Sequence, residues 1–268
     1  MSDNSPMDSE QVDAYLRRID AARPTRPDAA ALRELHLRHL SAVPFENLSI
    51  HLGEDIELVE KSLLDKIVQG RRGGFCYEVN GAFAALLGAL GFEVTLLAAR
   101  VHGRDGLGIP YDHLALRVET CDDSGPWLAD VGFGDHSHYP LALDSRTEQA
   151  DPGGTFRIDE APDGDLDILK DGTPEFRLEQ RPRVLSDFTT GSWWHRTSPK
   201  SGFTKGLVCT RITPEGRITL TGRKLVTTVA GERSERMLGT DAEVLAAYRE
   251  HFGISLDRVP EPRFPRSQ

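Results

Sequence analysis

Apolar residues recur at helical spacing in the first third of the chain and alternate with polar ones beyond it. Val12, Tyr15, Leu16 and Ile19 follow the i, i+3, i+4, i+7 rule of an amphipathic helix, with Ser9 as the expected cap. Pro24 and Pro27 interrupt the chain, and Asp28 is placed to cap a second helix carrying Leu32, Leu35 and Leu40. A third, short helix holds Leu64, Ile67 and Val68 and ends at Gly70. The helical period returns after Cys76 with Asn80, Phe83, Ala84 and Leu87, and Gly91 sits where a C′ glycine belongs.

The period then changes. Val94–Val101, His113–Val118 and Trp127–Val131 are short apolar runs between Gly, Pro and Asp clusters, as strands require. Phe156–Ile158, Leu166–Leu169 and Phe176–Leu178 continue the series, while the acidic stretch 159–171 reads as surface turns. Leu207–Ile212 and Arg217–Leu220 flank Thr213-Pro214-Glu215-Gly216, a turn sequence that predicts a hairpin. Thr240 and Glu243 form a capping box for a last helix whose face carries Val244, Leu245, Tyr248 and Phe252 and which stops at Gly253. The Pro- and Arg-rich tail from Pro260 reads as loose. The pattern is thus α+β: helices first, an antiparallel β middle, then a smaller sheet with a helix.

At 268 residues the chain is long enough for one or two domains with a buried core. A net charge of −10 argues against a general nucleic-acid binder, although it leaves room for a local basic site. No apolar run approaches the ~20 residues of a membrane span. The Ser-, Asp- and Glu-rich start, Met1–Gln11, lacks the basic and apolar regions of a secretory signal. The cysteines, Cys76, Cys121 and Cys209, are three and widely spaced, so neither a disulfide framework nor a structural zinc site is expected and a reducing cytoplasm is the default.

The most unusual segment is Arg71-Arg72-Gly73-Gly74-Phe75-Cys76-Tyr77-Glu78-Val79-Asn80. It sets a cysteine at a helix start, where unpaired N–H groups and the helix dipole favour a thiolate, with Arg71 and Arg72 adding positive charge. His113 opens a strand beside a loop, and Asp130 ends another between apolar residues, where a carboxylate needs a partner. A Cys–His–Asp set has a definite logic: the imidazole takes the thiol proton and the carboxylate fixes the tautomer. By spacing alone, a structural histidine and a strand-end aspartate are the commoner reading of these positions, since many proteins contain such residues somewhere.

The segments also resemble a known family, the arylamine N-acetyltransferases. Arg72-Gly73-Gly74-Phe75-Cys76-Tyr77-Glu78-Val79-Asn80 matches the family's R-G-G-x-C-x-E-x-N signature, and Pro44-Phe45-Glu46-Asn47-Leu48 its P-F-E-N motif. Asp112-His113-Leu114 and Asp130-Val131-Gly132-Phe133-Gly134 are similar to its histidine and aspartate segments, 37 residues beyond Cys76 and a further 17 along. The resemblance implies an N-terminal helical bundle (1–91) with the nucleophile, a central antiparallel β-barrel (92–195) with His113 and Asp130, and a C-terminal α/β lid (196–268) around a cysteine-protease-like core. It implies ping-pong acetyl transfer from acetyl-CoA, as co-substrate and without a metal, to arylamines, hydrazines or N-hydroxyarylamines. Catalysis would fall to Cys76, His113 and Asp130; Gly132, Phe133 and Gly134 would border CoA; Phe133 and Phe203 would face the acceptor.

Arg72, Glu46, Glu78 and Asn80 read as a scaffold that pairs charges around the Cys76 loop. Trp193-Trp194-His195 reads as a packing anchor between domains, and His136 and His138 as an H-x-H pair facing one way on a strand. Cys121, beside Asp122 and Asp123, is expected to be unreactive, and Cys209 to be core. Three other functions use the same residues: a papain- or transglutaminase-like enzyme, an amide synthase closing a macrocycle, and a non-enzymatic β-barrel binding module.

Overall fold

The computed structural model describes residues 7–122 and 124–264, so Asp123 and the last four residues of the tail lie outside the described residues. The helix Ser9–Arg18 is capped by Asp8 rather than Ser9: the Asp8 carboxylate accepts from the Gln11 N–H and the Gln11 amide side chain returns to the Asp8 N–H, both at 2.9 Å. That reciprocal pair fits only this register. Ala29–Ala42 begins at Asp28 as expected. A short helix that the pattern did not predict, Leu48–Leu52, comes next; the helix expected around Leu64 is Glu60–Leu64, which runs on as a π-helix, Asp65–Gln69. It stops at Gly70, which stays right-handed; the left-handed residue is Arg71, at φ +51°.

Buried Arg18 accounts for how this bend is held. Its guanidinium donates to the carbonyls of Ala42 (2.8 Å), Ile67 (3.1 Å) and Arg71 (3.3 Å), oxygens left over at helix ends and in the widened turn. The helix Cys76–Ala89 crosses the centre of the molecule, and every residue from Cys76 to Phe83 is buried. Gly91, at φ +91°, terminates it.

The middle of the chain forms one antiparallel sheet. Its order is Leu141–Ala142, Trp127–Ala129, His113–Glu119, Glu93–Gly103, Thr173–Arg183, Leu166–Lys170, Gly154–Glu160, Gln149–Asp151. The stretch 159–171 is mostly strand; only residues 161–165 and the tight turn after Lys170 leave the ladder, because Ile158, Leu166 and Ile168 alternate into the core. The edges meet through a side chain instead of a ladder. The Gln149 amide accepts from Ala142 N–H (2.7 Å) and donates to Ala142 C=O (3.1 Å), which nearly closes a barrel.

Alternation along these strands divides two cores. Leu97, Ala99, Ala115 and Leu128 face the barrel interior with Phe156 and Phe176. Their neighbours Ala98, Leu114, Leu116 and Ala129 face the helices and pack with Phe75, Cys76, Val79 and Phe83. A third cluster, Leu207, Cys209, Leu220, Val244, Tyr248 and Phe252, fills the C-terminal part.

There a five-stranded antiparallel sheet runs Phe45–Glu46, Cys209–Thr213, Gly216–Thr221, Lys224–Val229, Glu232–Met237. The hairpin at Pro214-Glu215 forms as predicted. The last two strands carry no predicted pattern: every residue of Glu232–Met237 is exposed, and in Lys224–Val229 only Leu225 is buried. Thr240 and Glu243 cap the helix Asp241–Phe252, and Gly253 (φ +69°) ends it. The tail is tied down as far as it is described: Arg263 N–H donates to His51 Nδ1 (3.1 Å) and Phe264 N–H to Thr204 C=O (2.9 Å).

Candidate active site

The site lies where the start of the Cys76 helix packs against the barrel strands that His113 opens and Asp130 follows. Cys76 is the first residue of its helix and is 3 % exposed, while Asn80, one turn on, shares its face. Phe75 has no side chain able to cap, so Glu78 does the work from N3, its Oε2 accepting from Phe75 N–H at 3.2 Å. Gly73 is required by close approach: a Cβ there would sit 1.8 Å from the Pro44 carbonyl oxygen. The segment Pro44–Asn47 therefore runs against the glycine pair, with Glu46 N–H donating to Gly74 C=O at 2.9 Å.

His113 and Asp130 meet, and both are buried. His113 Nε2 is 2.6 Å from Asp130 Oδ2, and Cys76 lies close enough to add to the electrostatics of the ring. Burial works against the charged imidazole, but the Asp130 charge and its hydrogen bond, with Cys76, outweigh it and raise the His113 pKa. Burial likewise opposes the Asp130 carboxylate, yet His113, His136 and Asn80 hold its pKa below the ordinary value.

Asp130 is held on every side. Asn80 Nδ2 donates to its Oδ1 (2.9 Å) and to Leu114 C=O (2.6 Å), while Asn80 Oδ1 accepts from Val131 N–H (2.9 Å). Gly132 N–H donates to the same carboxylate oxygen at 2.9 Å. Asp130 N–H donates to His36 Nε2 (3.1 Å), and His36 Nδ1 donates to His138 C=O (2.9 Å). These two bonds fix one neutral tautomer of His36, and burial lowers its pKa to about 4. His36 was not singled out from sequence, since one histidine in a helical run carries no distinguishing signal.

The expected scaffold is present. Glu46 is fully buried and pairs with Arg72 at 3.0 Å; Arg72 also reaches Glu54 at 3.2 Å. The charge of Arg72 is thus spent on carboxylates rather than left over for Cys76. Lys66, which sequence reasoning missed, pairs with Glu78 at 2.6 Å. Asn47 ties the C-terminal part to the helices, donating to Gly206 C=O (2.8 Å) and Phe203 C=O (3.0 Å) and accepting from Val208 N–H (2.9 Å).

Gly132 packs against the helix, since a Cβ there would lie 2.8 Å from Cys76 Cα. Gly134 has φ +100° and faces the Phe45 ring. Phe133 is half-buried, its ring 5.2 Å from His113 and 5.2 Å from Phe176. Phe203 packs on the other side with Phe75 (6.0 Å), Phe45 (6.0 Å) and His195 (5.1 Å).

Other expectations need correction. Trp193 is 62 % exposed and anchors nothing; the buried member of Trp193-Trp194-His195 is His195, which pairs with Asp112 at 2.9 Å. His136 and His138 lie in a loop, not on a strand. His136 Nδ1 bonds Glu175 Oε2 at 2.6 Å while His138 carries the contact to His36, so the two do not act as a pair. Among the described residues, no three or more His, Cys, Asp or Glu side chains are grouped to hold a metal ion. Exposed Cys121 has Arg26 at 3.6 Å, whereas Asp122 turns to Ala29 N–H and Ser124; Asp123 is outside the described residues. Cys209 is buried in its strand, as expected. Arg211 is bound to the carbonyls of His251 and Ser41. No described helix is long and apolar enough to cross a membrane.

Fold and geometry together define an α+β protein with a buried Cys–His–Asp constellation between a helical bundle and a barrel. A model of the N-acetyltransferase family matches residues 28–260. An arylamine N-acetyltransferase of Mycobacterium bovis is 34 % identical over 258 residues, covering 92 % of this chain and 90 % of that one. An enzyme of Salmonella typhimurium named arylamine N-acetyltransferase / N-hydroxyarylamine O-acetyltransferase is 32 % identical over 92 % of this chain and 89 % of its own. The structure of Mycobacterium marinum arylamine N-acetyltransferase in complex with CoA superposes with a TM-score of 0.84 at 33 % identity, covering 91 % of this chain and 92 % of that one. The chain belongs to the arylamine N-acetyltransferase family and is a transferase.

Proposed function

We propose that this protein moves an acetyl group from acetyl-CoA to the nitrogen of arylamines and arylhydrazines, or to the oxygen of N-hydroxyarylamines, through acetyl-Cys76. The observation that carries the reading is the buried His113–Asp130 hydrogen bond beside Cys76, the first residue of a buried helix. Cys76 sulfur gives its proton to His113 and attacks the thioester carbonyl. The C–S bond to CoA breaks, and CoA leaves with the proton from His113. The amine then attacks acetyl-Cys76, its proton passes to His113, and the Cys76 sulfur departs. A thioester exchanges for a thioester in the first half, so neither side is strongly favoured. N–H groups of the first helical turn are suited to the oxyanion.

In this reading residues 1–91 supply the nucleophile, 92–195 its proton-transfer partners, and 196–268 the cover of the cleft. Phe133, against His113, and Phe203, on the opposite wall, border the aromatic acceptor. Gly132, Phe133 and Gly134 border the acyl donor. A reducing cytoplasm suits the free thiols.

Intact mass spectrometry after brief incubation with acetyl-CoA, followed by peptide mapping, tests this. The expected result is one acetyl group on Cys76 that disappears when p-anisidine is added, with the amide formed. An unmodified protein with acetyl-CoA unconsumed even after amine is added rules the reading out.

A further inference from the structure

Cys76 and His113 lie on different elements, and something must set the distance between them. The residue after Cys76 and the residues before His113 are joined directly. The Tyr77 hydroxyl, on a wholly buried side chain, donates to Tyr111 C=O at 2.6 Å, with Asp112 C=O sharing the proton at 3.0 Å. Tyr111 is left-handed at φ +58°, a conformation that a tyrosine holds only when its surroundings impose it.

A second hand grips the same turn. His195 Nε2 lies 2.9 Å from Asp112 Oδ1 and 3.2 Å from Asp112 C=O, so this nitrogen carries the proton. The other Asp112 oxygen accepts from Val101 N–H at 3.2 Å. The helix Thr189–Thr197 comes close enough for this only because residue 191 is glycine: a Cβ there would stand 2.4 Å from Tyr111 O and 2.8 Å from the Tyr77 hydroxyl. Burial, with Cys76 and Asp112 near, pushes the Tyr77 phenol far above its ordinary pKa, so it stays a donor at any working pH.

We propose that Tyr77 is a positioning residue: its hydroxyl is a strut between the nucleophile's helix turn and the turn that launches His113, buttressed from the far side by Asp112–His195. The proposal rests on the acyl-transfer reading only for its effect on turnover; the Cys76–His113 spacing it explains is independent of the substrate.

The test is Tyr77→Phe, which removes one oxygen and leaves the packing. Three rates are read: alkylation of Cys76 by iodoacetamide, acetylation of Cys76 by acetyl-CoA, and steady-state turnover, each beside a thermal melt. Both Cys76 rates are expected to fall about five- to twenty-fold, and kcat with them, while KM for the amine stays within about two-fold and the melt remains cooperative. His195→Asn, which loosens Asp112 and thins the packing on the Tyr77 ring while leaving the Tyr77 hydroxyl in place, is expected to fall two- to five-fold. The double variant should lose less than the product of the two. Wild-type alkylation and acetylation rates in Tyr77→Phe overturn the proposal. So does a loss that only tracks the folded fraction. If Tyr77→Phe fails to fold, His195→Asn decides, and a wild-type Cys76 alkylation rate in it overturns the proposal. Should acetyl-CoA leave even the wild type unmodified, the function falls, and the iodoacetamide comparison still decides the strut.

Discussion

The Cys76–His113–Asp130 junction and the C-terminal hairpin Lys224–Met237 are opposite in construction. At the junction, polar groups are buried and over-determined: Asp130 alone is engaged by His113, Asn80, Gly132 and His36. The hairpin's outer strand is exposed at every position, and its charges pair with one another at the surface. A buried polar network tolerates little, because each lost partner leaves a desolvated group behind. An exposed edge strand tolerates much, and its charges also keep it from pairing with other chains. The proposed chemistry is concentrated where substitution is costly, and the hairpin supplies area to the third core through Leu225.

The sharpest way to break the contrast is at Cys76. Cys76→Ala and Cys76→Ser are each expected to lower acetyl transfer by at least about 10³-fold while the circular dichroism spectrum and melting temperature stay near wild type. Activity near wild type in either variant would remove Cys76 from the mechanism. Gly73→Ala comes next. Its methyl group would sit 1.8 Å from Pro44 O, so the two motif segments must part, at a cost of roughly 3 kcal/mol or more. A melting temperature within a few degrees of wild type would show that this approach is not required.

The third is a pH effect. His36 titrates near 6.5 when unfolded and at about 4 when folded, and His39 is also held well below its ordinary value by burial. The unfolded chain therefore binds more protons between these values, and stability falls as pH drops from 6.5 toward 4. The share of His36 is on the order of 3 kcal/mol across that range. Denaturant midpoints from pH 7 to pH 4.5 should decline less steeply in His36→Gln than in wild type; parallel declines would contradict it. The smallest effect belongs to the hairpin. Met237, 68 % exposed, should accept lysine with a change inside about 0.5 kcal/mol and unaltered turnover. A loss of several degrees would mean that this strand is covered in solution.

The same contrast governs what could be read from the chain before folding it. Helices announced themselves where apolar residues recur every three to four positions and a cap stands in place, as at Asp28 and at Thr240 with Glu243. Barrel strands were legible as short apolar runs because those against the helices bury residues on both faces. The strands Lys224–Val229 and Glu232–Met237 were not, because the first buries only Leu225 and the second is exposed throughout, so neither shows an apolar alternation. Likewise Ser9 lost the cap to Asp8, a choice made by one reciprocal hydrogen bond.

For the site, the chain by itself determined which residue types stand where: a cysteine behind two glycines, a histidine opening a strand, an aspartate between apolar neighbours. Local rules reach that far because helix starts and strand ends are set by near neighbours. Only the tertiary structure decided that these three meet, that Asn80 and His36 grip Asp130 from two helices, and that Arg72 is neutralised by Glu46 and Glu54. It also decided that His195, and not Trp193, carries the buried contact to Asp112. These outcomes depend on which buried polar group finds a partner tens of residues away. That pairing is set by burial and geometry in the folded chain, and no local spacing encodes it.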